Sequence, residues 1–141
     1  MRTIVAGSRD GVSPRDVDEA LAKCPWRPTV VLSGAARGVD AWGEEAAQRL
    51  GIPVERFPAQ WHKDGHFDRA AGMKRNALMA EHAQALLAVW DGKSRGTAHM
   101  IKCATEKGLQ VHVFRVERNA PEPLAQGEPA RGVPWFNRPA A

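Results

Sequence analysis

The chain has 141 residues, of which 43% are hydrophobic and 26% charged, and carries a net charge of +4. That length holds one hydrophobic core, no apolar run approaches the roughly 20 residues that span a bilayer, and the positive surplus favours anionic partners without choosing between a nucleotide and a nucleic acid. The opening stretch MRTIVAGSRD turns polar at Ser8, too soon for a secretory leader. Cys24 and Cys103 form no Cys-x-x-Cys pair, so they read as reduced thiols of a cytoplasmic protein with no membrane association.

Along the chain, TIVAG (Thr3 to Gly7) is a short, continuously apolar run and predicts a buried strand. SPRDVDEALAKC predicts a helix with Ser13 as N-cap and Pro14 at its first position. TVVLSG is a second strand, and the helix after it, from about Val39 to Leu50, is ended by Gly51. PVERF is a weaker third strand. A helix from about Phe67 to Glu81 precedes ALLAVWD, the fourth strand. GTAHMIKCATEKG is a further helix capped by Gly108, and LQVHVFRV is the fifth strand. Strands that alternate with helices, several of them apolar throughout, predict a doubly wound, Rossmann-like α/β domain over residues 1–116. Its sheet is mainly parallel, with about five strands and helices on both faces. Residues 117–141 hold five of the ten prolines and show no periodicity. They predict a tail, extended or docked through Trp135 and Phe136 onto the domain or a partner subunit.

In open parallel sheets, ligands bind beyond the carboxyl ends of the strands, where the strand order reverses. The loops that leave the first four strands are GSRDG, SGAARGVD, PAQWHKDGH and DGKSRGT. Three of them combine glycine, a hydroxyl and arginine. Close backbone approach, free N–H groups at a helix start and a fixed positive charge are what a phosphate needs. The candidate ligand residues are therefore Gly7, Ser8, Arg9, Ser33, Gly34, Ala35, Arg37, Gly38, Asp40, Asp91, Gly96 and Thr97, with the last two also expected to cap the helix they open. The competing reading of SGAARG is a tight turn that lets its helix pack on the sheet. Neither a dinucleotide Gly-x-Gly-x-x-Gly nor a complete Walker A loop is present. His62, Asp64, His66 and Asp68 alternate, but on a glycine-containing loop they read as a solvated segment, and no metal or cofactor is assigned. His99 is expected near the crevice mouth.

With GSRD, SGAARGVD, the spaced residues from Trp61 to Met79 (W...G...AAG..RN..M) and D....GT from Asp91 to Thr97 in order, the chain resembles the SLOG superfamily of Rossmann-like nucleotide binders. It is most similar to the YspA-like, cpYpsA-related branch found in bacteria and phages, from about Arg2 to Val116. The superfamily also holds the DNA-processing protein A domain and the cytokinin-activating phosphoribohydrolases. The resemblance implies that a phosphorylated nucleoside or nucleotide sugar lies among the glycine loops and Arg75 and Asn76. Arg75 also fits on its own terms, as a fork of donors on a helix whose other side packs inward. The hydrolase branch carries a glutamate in a longer glycine loop to assist N-glycosidic cleavage; here that position is Met100. Asp40, Glu44, Glu45 and Asp91 are the carboxylates that could replace it, and Asp40, Glu45 and Asp91 are kept as catalytic candidates. The expected function is binding, or sensing, of a nucleotide or nucleotide-sugar derivative. The alternatives are a nucleoside 5′-monophosphate phosphoribohydrolase-like N-glycosidase and a single-stranded DNA-binding module. Ala70, Ala71, Met73, Ala77, Leu78 and Ala80 lie around most of one helix, more than a single sheet-facing stripe needs, and with the resemblance they point to a homodimer.

Overall fold

A computed structural model describes residues 1–117 of the chain. Its elements run β1 (Arg2–Gly7), α1 (Pro14–Lys23), β2 (Val30–Ser33), α2 (Val39–Arg49), β3 (Val54–Arg56), β4 (His62–Lys63), β5 (His66–Phe67), α3 (Ala71–His82), β6 (Ala85–Trp90), α4 (Arg95–Glu106) and β7 (Gln110–Arg115). The five long-range strands form one sheet in the order β3-β2-β1-β6-β7, and every pairing in it is parallel. This is the expected Rossmann-like α/β sheet.

The apolar runs are continuous because both faces of the sheet are covered. Successive side chains of a strand point to opposite faces, and the core divides accordingly. Val5, Leu87 and Val89 pack with Val17, Leu21, Val39 and Ala46 of α1 and α2. Ile4, Ala6, Leu86 and Ala88 pack with Met79 and Ala80 of α3 and with Met100 and Ala104 of α4. The chain leaves β1 toward β2 and β3, then crosses back to place β6 on the other side of β1. The strand order therefore reverses between β1 and β6, and the connections that leave their carboxyl ends run to opposite faces of the sheet, to α1 and to α4, which opens a crevice.

Ser13 caps α1 as its sequence predicts. Its Oγ accepts from Asp16 N at 3.3 Å and Asp16 Oδ2 accepts from Ser13 N at 2.7 Å, a reciprocal box with Pro14 at the first turn. Three expectations fail. The helix predicted from Phe67 starts at Ala71, and residues 62–67 form the antiparallel hairpin β4–β5 instead of a loop. Asp64 (φ 53°) and Gly65 (φ 77°) both take positive φ, as the two central residues of a type I′ turn must, and Asp-Gly is the dipeptide that favours it. Asp68 then starts the helix region, its Oδ1 accepting from Ala70 N at 2.9 Å. The N-cap of α4 is Ser94, so Gly96 and Thr97 lie inside its first turn and do not cap it. Among the described residues no helix is long and apolar enough to cross a membrane. Trp135, Phe136 and the tail from Arg118 onward lie outside the described residues.

Candidate ligand-binding site

The crevice at the β1/β6 reversal encloses about 460 Å³. Four segments wall it: Ala6–Asp10 at the end of β1, Ala36 and Asp40 at the start of α2, Arg75, Asn76 and Met79 on α3, and Asp91, Lys93, Ser94, Gly96, Thr97 and Met100 on the β6–α4 connection. Buried Ser8 ties two of them together, since its Oγ accepts from Asp91 N at 3.2 Å. Asp91 Oδ1 in turn accepts from Lys93 N and Ser94 N, each at 2.8 Å. Burial pushes the Asp91 carboxyl up, but the Lys93 and Ser94 amides and the Ser8 contact outweigh that and hold it below its ordinary range. The first turn of α4 opens into the crevice at Gly96 and Thr97. A helix start leaves N–H groups without intrahelical partners and favours negative charge there.

The loop after β2 is small for a different reason than ligand approach. A Cβ at Gly34 would lie 2.6 Å from Arg75 Nη1 and 2.7 Å from Asp40 Oδ2, and the Gly34 carbonyl accepts from Arg75 Nη1. Glycine at 34 makes room for the chain's own arginine. Gly38 has φ 79°, and a Cβ there would meet Arg9 Cα at 2.7 Å and the Ser8 carbonyl oxygen at 2.9 Å, so this glycine lets the loop rest on the end of β1. Ser33 is turned elsewhere, its hydroxyl donating to Glu44 Oε2 at 2.6 Å and accepting from Ala35 N at 3.1 Å. Glu44 is also paired with Arg56 at 3.2 Å.

Of the residues expected from the sequence, Gly7, Ser8, Arg9, Asp40, Arg75, Asn76, Asp91, Gly96 and Thr97 meet in the crevice. Ser33, Gly34, Ala35, Arg37 and Gly38 do not line it; Gly34 and Gly38 act behind its wall, and Arg37 is exposed beside Asp10 at 3.9 Å. Glu45 is exposed on α2 and does not line the crevice, which removes the geometric basis for it as a catalytic candidate. Lys93 and Ser94 line the crevice although sequence reasoning did not select them; the DGKSRGT loop that contains them was the available signal. Met100, at 1% exposure, forms part of the apolar floor. His99 is not in the lining but stands behind Asn76, 3.1 Å away.

Two charged groups dominate the inner wall. Burial pushes the Asp40 carboxyl from 3.8 up to about 6, partly opposed by the bond from Ala36 N and by the charges of Arg75 and Arg9. Burial likewise lowers the Arg75 guanidinium, while Asp40 acts to raise it. Arg75 is held at two atoms, through Nη1 on the Gly34 carbonyl and through Nε on Asn76 Oδ1 at 3.0 Å. Its Nη2 has no hydrogen-bond partner among the described residues.

The first part of the chain carries a known family signature. Residues 1–63 match the model of the YspA, cpYpsA-related SLOG family, the branch that the loop motifs resemble; the matched stretch runs from β1 through β4. Over 63 residues the chain is 30% identical to the SPbeta prophage-derived protein YoqJ of Bacillus subtilis (strain 168), covering 45% of this chain and 37% of that protein. Among solved structures it is similar to DNA processing protein A (DprA) from Streptococcus pneumoniae, with a TM-score of 0.62 and 18% identity over 79% of this chain and 49% of that one. The shared feature there is the fold. The chain spans less than half the length of each of these two proteins.

Asp40 sets a pH dependence. Folding raises its carboxyl, so the folded chain binds more protons than the unfolded one between 3.8 and about 6, and stability falls as pH rises through that window. Asp40→Asn keeps an oxygen for Ala36 N and removes the charge. It is expected to exceed the wild type in stability at pH 7 by at most about 3 kcal/mol, with the gain shrinking toward zero near pH 4. Urea denaturation across that range checks this; a variant no more stable than wild type at pH 7 would contradict it.

Proposed function

We propose, from a chain whose first 63 residues carry the YspA, cpYpsA-related SLOG signature, that the crevice binds a phosphorylated nucleoside or a related nucleotide derivative, as a binding or sensing site. The observation that carries this reading is the pairing of Arg75, braced at Nε and Nη1 with Nη2 unspent, with the first turn of α4 in one crevice. A planar donor fork and a helix start are two independent anion-binding devices. The volume of about 460 Å³ suits a mononucleotide, since small-molecule sites run from about 300 to 1,000 Å³. In this reading the phosphate lies between Arg75 and the amides near Gly96 and Thr97, and the Asp91 oxygen not engaged by Lys93 and Ser94 takes a ribose hydroxyl. The solvent-facing side chains Phe67, Met73 and Leu78, at 59%, 55% and 45% exposure, support a homodimer through α3 and the hairpin; a monomeric mass by light scattering would remove that part.

A second reading, hydrolysis of the N-glycosidic bond, draws on Asp40. A buried carboxyl raised to about 6 in a cleft is the kind of group that exchanges protons near neutral pH. Met100 offers neither a proton nor a negative charge to a developing cation. Binding without turnover is therefore the preferred form.

AMP is expected to raise thermal stability where adenosine does so far less. At about 100 times its dissociation constant a ligand adds roughly 2.7 kcal/mol, and Arg75→Ala should weaken AMP binding by about 1.5 to 3 kcal/mol. Equal shifts for AMP and adenosine would count against a phosphate-centred site, and stronger protection by a single-stranded oligonucleotide than by AMP would favour the DNA-binding alternative. Incubation with nucleoside monophosphates is expected to release no free base. Robust release that is lost in Asp40→Asn would establish the hydrolytic reading instead.

A further inference from the structure

Behind the crevice wall, a row of polar side chains runs from α4 through α3 to the loop after β2. His99 and Cys103 lie one turn apart on α4, both half-buried. His99 Nδ1 is 3.1 Å from Asn76 Nδ2, and His99 Nε2 is 3.5 Å from Cys103 Sγ. Asn76, at 6% exposure, is engaged at both ends of its amide: Oδ1 accepts from Arg75 Nε at 3.0 Å and Nδ2 donates to the Gly96 carbonyl at 3.3 Å.

The two ends of this row fix the protons in its middle. A guanidinium N–H can only donate and a carbonyl oxygen can only accept, so Asn76 must turn Oδ1 to Arg75 and Nδ2 to Gly96. The second Nδ2 proton then points at His99 Nδ1, which has to accept it. A neutral His99 therefore carries its proton on Nε2, with the Cys103 sulfur beside the ring at 3.5 Å from Nε2 and 3.8 Å from Nδ1.

We infer that His99 is a positioning residue for Arg75: by accepting from Asn76 in its Nε2–H tautomer, it locks the amide that braces the guanidinium. The inference rests on the reading of the crevice as an anion site and adds a residue that does not touch the ligand. Without an acceptor at the Nδ1 position, the Asn76 amide loses one of the contacts that select its orientation. Arg75 and Gly96 still turn the amide the same way, but a buried Nδ2 proton is left without its acceptor, so the amide braces Arg75 Nε less firmly and loosens the arm that holds Nη2 available.

Three variants separate this from a purely structural role. His99→Asn can place an oxygen near the position of Nδ1, His99→Leu cannot, and Asn76→Asp keeps the acceptor for Arg75 while removing both donors. Long-range proton–nitrogen NMR of the ligand-free protein is expected to show the Nε2–H tautomer of His99 in the wild type and a protonated Nδ1 in Asn76→Asp. An Nδ1–H tautomer in the wild type, or the same state in both proteins, would overturn the proposal. The Arg75 Nε–H signal should be protected from exchange in wild type and His99→Asn and exchange measurably faster in His99→Leu; equal protection in all three also overturns it. With AMP as the probe, calorimetry should show about tenfold weaker binding for His99→Leu and near wild-type binding for His99→Asn. Should AMP fail to bind the wild type, the nucleotide reading falls, and the two ligand-free NMR readouts still decide whether the relay exists.

Discussion

The contact between Arg75 and the Gly34 carbonyl joins the two halves of the molecule that the crevice needs. Arg75 comes from α3, on one face of the sheet, and Gly34 from the loop that follows β2. A half-buried guanidinium is stable only where fixed acceptors and opposite charge replace the solvent it has lost, and Gly34, Asn76 and the field of Asp40 do that here. The absence of a side chain at 34 is the condition for it, because a Cβ would occupy the space that Arg75 Nη1 and Asp40 Oδ2 now fill. Asp40, drawn into the same gap, bears the cost of burial in its raised carboxyl.

The architecture was legible in the sequence because its signals are local. Apolar runs such as ALLAVW are buried on both faces and have no competing period, Ser13-Pro14 marks a helix start, and Gly51 and Gly108 end helices by taking positive φ. The loops expected to reach the crevice followed from strand order alone. The hairpin at 62–67 was hidden by its length, since two-residue strands show no period; only Asp64-Gly65 betrayed it.

The site was legible in part, for a reason tied to what its glycines do. Small residues in SGAARG report that something approaches the backbone, but a sequence does not say whether that is a ligand or a side chain from 41 residues away. At Gly34 it is Arg75, and at Gly38 it is the end of β1. Lys93 and Ser94 belong to DGKSRGT, where glycine and arginine are the more conspicuous phosphate signals, although their position after β6 alone puts them at the reversal point. The family match covers β1 to β4, whereas Arg75, Asn76 and the α4 start lie beyond it. The chemistry of the crevice thus depends on a half of the chain for which the geometry is the main witness.

The most direct test is a crystal structure of the protein grown with AMP. The account predicts the phosphate within hydrogen-bond distance of Arg75 Nη2 and of the backbone amides at Gly96 and Thr97, with the Arg75–Gly34 contact intact. A phosphate seated in the 33–38 loop, or bound with Arg75 turned away from it, would contradict the account.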